Sequence, residues 1–377
     1  SENIFSTKDE SNMVLIGYMG FLDPPKDTSI TAIKALHDHG VEVKILTGDN
    51  DIVAKKIAKD VGIPVENVVL GADIENKSDD ELYKMASKSS ILAKLSPVQK
   101  ERVISVLQDN KHVVGFLGDG INDAQALKQA DVGISVDTAV DIAKESADII
   151  MLVKDLNVLE EGVIEGRRVF GNIIKYIKIT ASSNFGNVFS VLIASAFLPF
   201  LPMLPIQLLV QNLLYSISQI SIPWDNMDNE YLKEPQQWDA GEIGKFMIYI
   251  GPISSLFDIV TFSILWFVFK VNTMEMMPFF QSGWFIVGLV TQTLIVHMIR
   301  TRKIPFLQSN ASMPVMIMTG IIIALGIIIP FTPIGAYIGL VSLPGRYFIW
   351  LIGILIAYSL CIEVAKKLYI KRFDSWM

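Results

Sequence analysis

Between residues 14 and 152, short apolar runs alternate with longer amphipathic stretches. The runs are typical of buried strands, whereas apolar residues at every third or fourth position predict helices. One such helix, SPVQKERVISVLQDN, has Ser96 as its N-cap and Pro97 in its first turn. Strands that alternate with helices across short loops predict a doubly wound α/β fold with a parallel sheet. The predicted strands are 14–22, 41–48, 89–95, 112–118, 131–135 and 147–152.

Six apolar runs of membrane-spanning length follow in the second half of the chain. A helix needs roughly 20 apolar residues to cross the hydrocarbon core of a bilayer. So many long runs exceed what a soluble core requires, so the sequence predicts an all-α transmembrane domain with six spans, preceded by a stalk helix. The predicted spans are 179–200, 203–223, 246–269, 283–299, 313–331 and 347–365. The predicted divisions are an α/β domain at 1–154, the stalk at 155–178 and the membrane domain at 179–377.

The composition agrees with a membrane part. Hydrophobic residues make up 51% of the chain and the mean hydropathy is +0.43, which is too apolar for an ordinary soluble protein. Residues 1–166 hold 17 Lys and Arg against 29 Asp and Glu, a net charge of −12, and residues 167–377 hold 15 against 10, a net charge of +5. An acidic α/β half lacks the clustered cations that nucleic-acid binding requires, so we exclude nucleic acid as a partner. Cys361, the single cysteine, permits no intramolecular disulfide.

Basic residues cluster at three places beside the predicted spans. With an even number of spans between them, all three clusters fall on the same side of the membrane, which the positive-inside rule makes cytoplasmic. We therefore expect a multi-pass protein of the cell membrane whose α/β domain and both ends are cytoplasmic. The clusters are Arg167, Arg168, Lys175 and Lys178, then Arg300, Arg302 and Lys303, and finally Lys366, Lys367, Lys371 and Arg372.

Two predicted strands end in segments that carry chemistry. In ILTGDN, Thr47 offers a hydroxyl, Gly48 permits close backbone approach, and the next helix offers free N–H groups, which together suit a phosphate. In LGDGIND, Asp119 follows the strand and Asp123 lies four residues later, so both carboxylates can face one small volume. Hard oxygen ligands beside a phosphate favour Mg²⁺. Ligands of such sheets bind beyond the carboxyl ends of the strands, so we expect these segments to lie together.

Lys100, in the first turns of its predicted helix, could neutralise an oxyanion at this site. Taken alone, TGD is also typical of a simple turn, and a helix lysine is typical of a solvated surface. GDGIND is harder to explain by stability, because two glycines after a buried strand cost conformational entropy. The order Thr-Gly-Asp, Lys and then the two aspartates is much more specific than any one member.

Polar residues also interrupt the predicted spans. Asn184 and Asn187 lie three positions apart in the first span, and Asn212 and Ser216 lie on one face of the second. Such residues are costly in a membrane, so they are candidates for an oxygen-lined cation site, although interhelical hydrogen bonds between membrane helices are a common alternative explanation. Asp258, in the third span, is a further candidate, for which helix pairing or proton coupling would fit as well.

These motifs resemble those of P-type cation-transporting ATPases. The resemblance rests on DPP at 23–25, TGDN at 47–50, the segment around Lys100 and GDGIND at 118–123. The membrane stretches SSNFGNVFS, LLVQNLLYSISQISIPWDNMD and FMIYIGPISSLFDIVTF are similar to those of the bacterial magnesium-transporting subfamily. The resemblance implies a haloacid dehalogenase-like phosphorylation domain, represented in part, and the last six membrane helices of a pump.

The resemblance also implies a role for each motif residue. Thr47, Gly48 and Asp49 would contact an aspartyl phosphate, and Lys100 would stabilise its charge. Asp119 and Asp123 would hold the catalytic Mg²⁺, and ATP would be the substrate of the complete pump. The supporting residues of the phosphate and metal site would be Gly118, Gly120 and Asn122, and the hinge toward a nucleotide domain would be Asp23, Pro24 and Pro25.

The sequence departs from the family in one decisive respect, because the DKTGT motif that contains the phosphorylated aspartate does not occur in it. We therefore expect the C-terminal part of a pump that needs the missing N-terminal part as its partner and is inactive alone. Related pumps also place an acidic residue where this chain has Ser216. The transported ion is expected to be Mg²⁺ or a similar divalent cation, such as Ni²⁺ or Co²⁺, and uptake is favoured by the resemblance alone.

Two alternatives stand beside the pump. A membrane-anchored phosphatase would need a DxD pair at the end of the first predicted strand, where LIGYMGFLDPP offers a single aspartate. A non-catalytic split or degenerate pump remnant would instead serve as a membrane partner for the missing half. An in-frame DKTGT upstream of Ser1 in the gene would distinguish the remnant from the complete pump.

Overall fold

The computed structural model describes residues 13–20, 24–236, 238–374 and 376. Within this part the chain divides into two compact units. The first consists of the described residues up to His37 together with Glu42–Glu160, and the second of Asp38–Val41 together with the described residues from Glu161 onward.

The first unit is an α/β structure with short strands. Its described strands are β1 Ile45–Leu46, β2 Val68–Leu70, β3 Ile91–Ala93, β4 Gly115–Leu117, β5 Val132–Val136 and β6 Ile149–Met151. Its described helices are α1 Thr28–Asp38, α2 Asp51–Asp60, α3 Gly71–Ile74, α4 Asp79–Lys88, α5 Pro97–Asp109, α6 Ala124–Gln129 and α7 Asp141–Ser146, with a 3₁₀ turn at Ile121–Asp123.

The strands form two parallel sheets of three strands each, in the orders β1-β3-β2 and β4-β5-β6. Ile45 is in register with Ile91 in the first sheet, and Gly115 with Val132 in the second. All three residues of β3 are buried, as expected for the middle strand of a parallel sheet. Parallel order with intervening helices confirms the predicted crossover units.

β1 and β4 are edge strands, and each has one open side. The amides of Ile45 and Thr47 donate to carbonyls of the β3 segment, so the peptide groups of Leu46 between them face the other way. In the second sheet Gly118 N donates to Ile134 O, so the amide of Leu117 faces away from β5. Leu46 contacts the apolar clusters of both sheets. The two sheets therefore belong to one unit, and the open edges of β1 and β4 are two of the four sheet edges formed by the described strands.

The helix signals in the sequence have their expected effect at α5. Ser96 Oγ accepts a hydrogen bond from Gln99 N at 3.3 Å, the Gln99 side chain accepts from Ser96 N at 2.9 Å, and Pro97 occupies the first turn. A cap of this kind stabilises a helix by about 1 kcal/mol. The helix buries Val103 and Ile104 against the sheets and thereby fixes the position of Lys100 in its first turns.

The structure corrects the predicted sheet in two places. Residues 14–20 of the first predicted strand are exposed and form no strand, while 21–22 lie outside the described residues. β2 and α3 were not predicted, although Val68 and Val69 before Gly71 form a short β-branched run. The single doubly wound sheet is thus replaced by two half-sheets, because no described strand bridges the open edges of β1 and β4.

The second unit is helical. Its described helices are α8 Leu156–Phe197, α9 Pro205–Gln219, α10 Asn229–Lys233, α11 Ala240–Ser263, α12 Met277–Ile299, α13 Met313–Ile328, α14 Pro333–Tyr337 and α15 Gly345–Phe373, of which α8 begins in the first unit. A π-helical turn, Ile264–Val268, extends α11, and 3₁₀ turns are found at Ile222–Trp224, Met274–Met276 and Ile329–Phe331.

Four of these helical segments are long and apolar enough to cross a membrane. They are Ala240–Val268, Met274–Ile299, Met313–Phe331 and Gly345–Phe373. The second is 94% buried over its apolar window, against 28% and 22% for the last two, so α12 is the centre of the unit. Residues of α12 share one apolar cluster with Phe262, Tyr347 and Leu351.

The predicted count of six spans is not confirmed by this criterion. The second predicted span corresponds to α9, which has only 15 residues. The first lies in α8, where Asn184, Asn187 and several serines lower the mean hydropathy. The two segments carry four of the five candidate cation ligands, whereas the fifth, Asp258, lies in α11.

Candidate functional site

The TGDN segment forms a tight turn between β1 and α2. Thr47 Oγ1 accepts from Asp49 N at 3.0 Å and lies 3.2 Å from Asp49 Oδ2. Asn50 is the N-cap of α2, since its side chain accepts from Ile52 N at 2.9 Å. The hydroxyl of Thr47 and the backbone after it are therefore held at the carboxyl end of β1.

Backbone hydrogen bonds join this turn to the segment that begins α5. Leu95 N donates to Thr47 O and Lys94 N donates to Asp49 O, each at 3.0 Å. A Cβ added to Gly48 would lie 3.4 Å from Leu95 O, which is a tight contact, so glycine suits the crossing of the two segments. The turn thus lies directly beside the N-terminus of the helix that carries Lys100.

The GDGIND segment folds back on itself after β4. Asp123 Oδ2 accepts from Gly120 N at 3.1 Å, and Ser135 Oγ donates to Gly118 O at 2.8 Å. A Cβ on Gly118 would lie 2.6 Å from Asp123 Cβ, so no larger residue fits without moving that carboxylate. The position of Asp123 therefore requires a glycine at 118. From the sequence, this glycine was only a general property of the motif.

Lys100 connects the two segments. Its Nζ lies 2.7 Å from Asp123 Oδ1, and only 7% of the residue is exposed. The ammonium is thus an ion-pair partner at the carboxyl end of β4, while its helix begins beside the Thr47 turn. The structure brings Thr47, Lys100 and Asp123 to the same part of the first unit.

The carboxylate of Asp119 has a different partner, Lys154, at 2.8 Å. Both side chains are more than half exposed, so this pair contributes little to stability. Sequence reasoning missed Lys154, although it follows β6 and the rule that ligands gather beyond strand ends applies to it equally. Lys26 also donates to the Lys154 carbonyl, which ties the start of the first unit to this edge.

The other predicted members of the site are less constrained. Asn122 is exposed, as is Pro24, and Pro25 is half-buried. Asp23, the first residue of the predicted hinge, lies outside the described residues.

The donor set of this edge suits Mg²⁺ bound together with a phosphate. Among the described residues, no three or more His, Cys, Asp or Glu side chains gather as a metal site. Mg²⁺ is commonly held by one or two carboxylates, with substrate phosphate oxygens and water completing the shell. Asp119 and Asp123 provide such a pair, and each has an ammonium as its present neighbour.

In the second unit, the candidate Asn187 has a polar partner on another helix. Its Oδ1 accepts from Gln292 Nε2 of α12 at 2.6 Å. Asn184 of α8, and Asn212 and Ser216 of α9, are exposed. Three polar side chains are thus exposed on α8 and α9, which the sequence predicted to contain the first two membrane spans.

Asp258 lies elsewhere in the helical unit. It is buried in α11, and its two carboxylate oxygens contact Ser190 Oγ of α8 at 2.6 Å and Trp284 Nε1 of α12 at 3.0 Å. Neither neighbour is one of the other candidate cation ligands.

A buried ion-pair cluster was not found from the sequence. Asp225, after α9, accepts from Lys175 Nζ at 2.9 Å and from Arg300 Nε at 2.7 Å, and Ser312 N donates to its other oxygen. Burial opposes the charged carboxylate, but Lys175 and Arg300 outweigh it and hold the pKa of Asp225 below its usual 3.8. The sequence had treated the two cations only as members of basic clusters.

This cluster gathers the predicted basic groups at one end of the unit. Lys178 donates to the backbone carbonyl of Trp376, whose indole N–H donates to Ile299 O. Arg302 lies 3.8 Å from Asp374. Lys366 of the third cluster donates to the Lys303 carbonyl at 2.8 Å. Members of all three predicted basic clusters therefore lie near one another.

Comparison with known families gives matches in two separate regions of the chain. Residues 6–131 match the family model of haloacid dehalogenase-like hydrolases. Residues 200–368 match the model described as cation transporting ATPase, C-terminus.

Individual relatives extend over almost the whole chain. It is 58% identical over 371 residues, 98% of its length, to a protein of Salmonella typhimurium named magnesium-transporting ATPase, P-type 1, and 58% identical over 372 residues to the protein of that name in Escherichia coli. An endoplasmic reticulum calcium ATPase of Aspergillus fumigatus is 31% identical over 248 residues, which is 64% of this chain and 26% of the relative. The chain spans about two fifths of the bacterial relatives, 41% of each.

Proposed function

We propose that the chain, which is similar over 98% of its length to a P-type magnesium-transporting ATPase, is the C-terminal portion of a pump that couples ATP hydrolysis to the movement of a divalent cation. The observation that carries the proposal is the Lys100–Asp123 ion pair beside the Thr47 turn, in a chain that also holds membrane-spanning helices. An aspartyl phosphate would be the intermediate, and import of Mg²⁺ or a similar ion is the favoured reaction, since the relatives carry that ion in their names.

In this proposal the residues of the first unit position and neutralise a phosphoryl group. Thr47 Oγ1 and the backbone N–H groups at the start of α2 would donate to phosphate oxygens, and Lys100 would oppose the charge that develops during transfer. Phosphoryl transfer requires little more of a protein than alignment and charge neutralisation. Gly48 and Gly118 leave room for the close approach of the group.

Asp119 and Asp123 would hold the catalytic Mg²⁺, which when bound supplies positive charge to the phosphate oxygens. Asp123 is already oriented by Gly120 N and by Lys100, so it needs little rearrangement. Asp119, which now pairs with the exposed Lys154, would bind the ion in place of this lysine. Asn122 and Gly120 would support the site from the same turn, and Asp49 would contact the phosphate together with Thr47 and Gly48.

The missing N-terminal part is the proposed partner of the first unit. A strand with one parallel neighbour on each side would satisfy the open peptide groups of Leu46 and Leu117. Such a strand would end beside Thr47 and Asp119, which is where a phosphorylated aspartate is required. Because the present sequence lacks DKTGT, we expect no ATP hydrolysis by this chain alone.

The open polar face of the second unit points to the same partner. Asn184, Asn212 and Ser216 cannot face hydrocarbon without cost if α8 and α9 are spans. Further helices of the missing part would cover them and, with Asn187, enclose a cation path lined by neutral oxygens. Carboxylates from those helices would replace the acidic residue that is absent at Ser216.

The proposed orientation places the first unit and the three basic clusters in the cytoplasm of a bacterial cell, with six spans in the inner membrane. The positive-inside rule supports it, because the clustered cations lie together at one end of the helical unit. Hinge residues Asp23, Pro24 and Pro25 would lead to the nucleotide-binding part.

The test is isotopic flux with the complete pump in liposomes. ATP-dependent uptake of a divalent cation, lost when the Lys100–Asp123 pair is broken, is the expected result. A non-catalytic remnant is the second candidate, favoured by the absent DKTGT motif. It predicts that a complete gene has no such motif and that the chain copurifies with a separate protein that supplies it.

A further inference from the structure

Asp258 occupies an unusual position for a carboxylate. It lies within α11, is 4% exposed, and belongs to a segment with membrane-spanning character. A charged side chain at such a place is costly unless it has a counter-charge. Asp225 of the same unit shows the contrast, because Lys175 and Arg300 both contact it.

The groups that face Asp258 are all neutral. Ser190 contacts it from α8 and Trp284 from α12, while Tyr358 is the titratable side chain that faces it from α15. None of the ion pairs formed by described residues includes Asp258. The indole N–H can donate to either form of the carboxyl group, so Trp284 does not decide its charge.

The number of hydrogens that Ser190 can donate does distinguish the ionised from the protonated form of Asp258. Its hydroxyl oxygen lies 2.6 Å from Asp258 Oδ2 and 2.9 Å from the Gly186 carbonyl, but it has one hydrogen to donate. If Asp258 is ionised, that hydrogen goes to the carboxylate and the contact with Gly186 O is not made. If Asp258 carries a proton, Asp258 donates to Ser190 and Ser190 donates to Gly186 O, so both contacts are hydrogen bonds.

We propose that Asp258 is a proton-binding site, which in this conformation holds a carboxylic proton and donates it to Ser190 Oγ. The proton adds to the carboxylate and no other bond changes. The resulting chain runs from Asp258 through Ser190 to the carbonyl of Gly186, which also accepts from Ser255 Oγ at 2.8 Å. The ligand of the site is a proton and not a metal ion, because the contacting groups offer a cation no second carboxylate: Ser190 provides one hydroxyl, and Trp284 provides an N–H donor that cannot bind a metal.

Ser190, the hydrogen-bond partner of Asp258, lies on α8, the helix that carries the candidate cation ligands Asn184 and Asn187. Gly186 precedes Asn187, and Ser190 lies three positions after it, on the same face of α8. Loss of the proton would turn Ser190 away from Gly186 O and toward the carboxylate, and so change the hydrogen bonding of α8 beside Asn187. Coupling of the proton to a transported cation rests on the proposed function, whereas the protonated state of Asp258 does not.

The test is infrared difference spectroscopy of the whole chain in lipid nanodiscs at neutral pH. A protonated carboxyl group has a carbonyl stretch well above that of a carboxylate, and the band shifts in D₂O. We expect this band to disappear in Asp258→Asn, which keeps the shape and neutrality of the acid, and to remain in Asp239→Asn, an exposed N-cap of the same helix. A spectrum in which Asp258→Asn removes only carboxylate absorption would overturn the proposal.

Ser190→Ala provides a second measurement, which stays informative if Asp258→Asn fails to fold. Without the hydroxyl that accepts its proton, the Asp258 carbonyl stretch should move to higher frequency while the band persists. An unmoved band would refute the hydrogen bond to Ser190. Neither measurement uses ATP or transport, so the result does not depend on whether the chain is part of a pump.

Discussion

Lys100 Nζ lies 2.7 Å from Asp123 Oδ1, although 23 positions separate the two residues in the sequence. The pair connects the first turns of α5 with the turn that follows β4. It places an ammonium and a carboxylate at the end of one strand, beside the hydroxyl-bearing turn at the end of another. We base the proposed role of these strand ends in phosphoryl transfer on the proximity of these groups.

Replacement of either carboxylate at this edge should abolish phosphoenzyme formation by the complete pump. In Asp119→Asn and Asp123→Asn the Mg²⁺ ligand is lost, and Lys100→Gln removes the neutralising charge, each with an expected loss on the order of 10²-fold or more. Acid-stable labelling by radioactive ATP measures it. Asp109→Asn, an exposed carboxylate at the end of α5, is the control. Unchanged labelling in either aspartate variant would remove the metal assignment.

Asn187→Ala should weaken the stimulation of ATPase activity by the transported cation, because it removes an oxygen from the proposed path. Asn184→Ala, whose side chain is exposed in this chain, should act in the same direction once the missing helices cover it. The activity is measured against cation concentration in the complete pump. Ser359→Ala, whose hydroxyl bonds only within α15, should leave the curve in place. If the asparagine variants also leave it in place, these residues serve packing alone.

Breaking the buried cluster should destabilise the helical unit. Asp225→Asn leaves Lys175 and Arg300 without their counter-charge, and loss of one partner in a buried pair costs about 3–5 kcal/mol. Thermal unfolding in detergent measures the change. Asp374→Asn is a matched control, since Asp374 also pairs with an arginine near the end of α12 but is 99% exposed. Equal effects of the two substitutions would contradict the cluster's role.

The same cluster makes a prediction for pH. The pKa of Asp225 is lower in the folded chain than its usual 3.8, so its stabilisation is complete above that value and is lost as the pH falls through the folded pKa. The difference in unfolding free energy between the wild type and Asp225→Asn should therefore narrow on acidification. A difference in unfolding free energy that stays constant from neutral pH to about pH 3 would contradict the lowered pKa of Asp225.

Restoring the N-terminal part should protect the open sheet edges. Amide hydrogen exchange at Leu46 and Leu117 should slow by at least about tenfold when the partner strand is present, because each amide gains an acceptor. Leu92 and Ile134, in middle strands that already have two neighbours, provide the internal control. Exchange at Leu46 and Leu117 that does not change would exclude a strand between β1 and β4.

The sequence predicted the parts of the fold that depend on local signals. Ser96 and Pro97 begin α5 where they were expected, since a cap acts within a few residues. The strand at 14–22 was wrong over its described part, because an apolar run becomes a strand only where a neighbour pairs with it. Periodicity reports the polarity of a segment but carries no information about which partner is present.

The candidate site shows the same difference between residues with local sequence signals and residues whose roles depend on distant partners. Thr47, Lys100 and Asp123 could be found because they stand at strand ends or helix starts in a specific order. Lys154 and Asp225 could not, because their roles depend on long-range contacts, with Asp119 in one case and with Lys175 and Arg300 in the other. Six spans were expected from runs of apolar residues, while the polar side chains of α8 and α9 reduce the apolar signal where cation ligands are proposed.

The unpaired edges of β1 and β4 also bear on how the chain behaves in solution. A strand edge with free peptide groups will accept any extended segment, including the edge of another molecule. Expressed without its complement, the chain should therefore self-associate through these strands, and a short peptide with the right side-chain pattern should compete with that association and restore single particles.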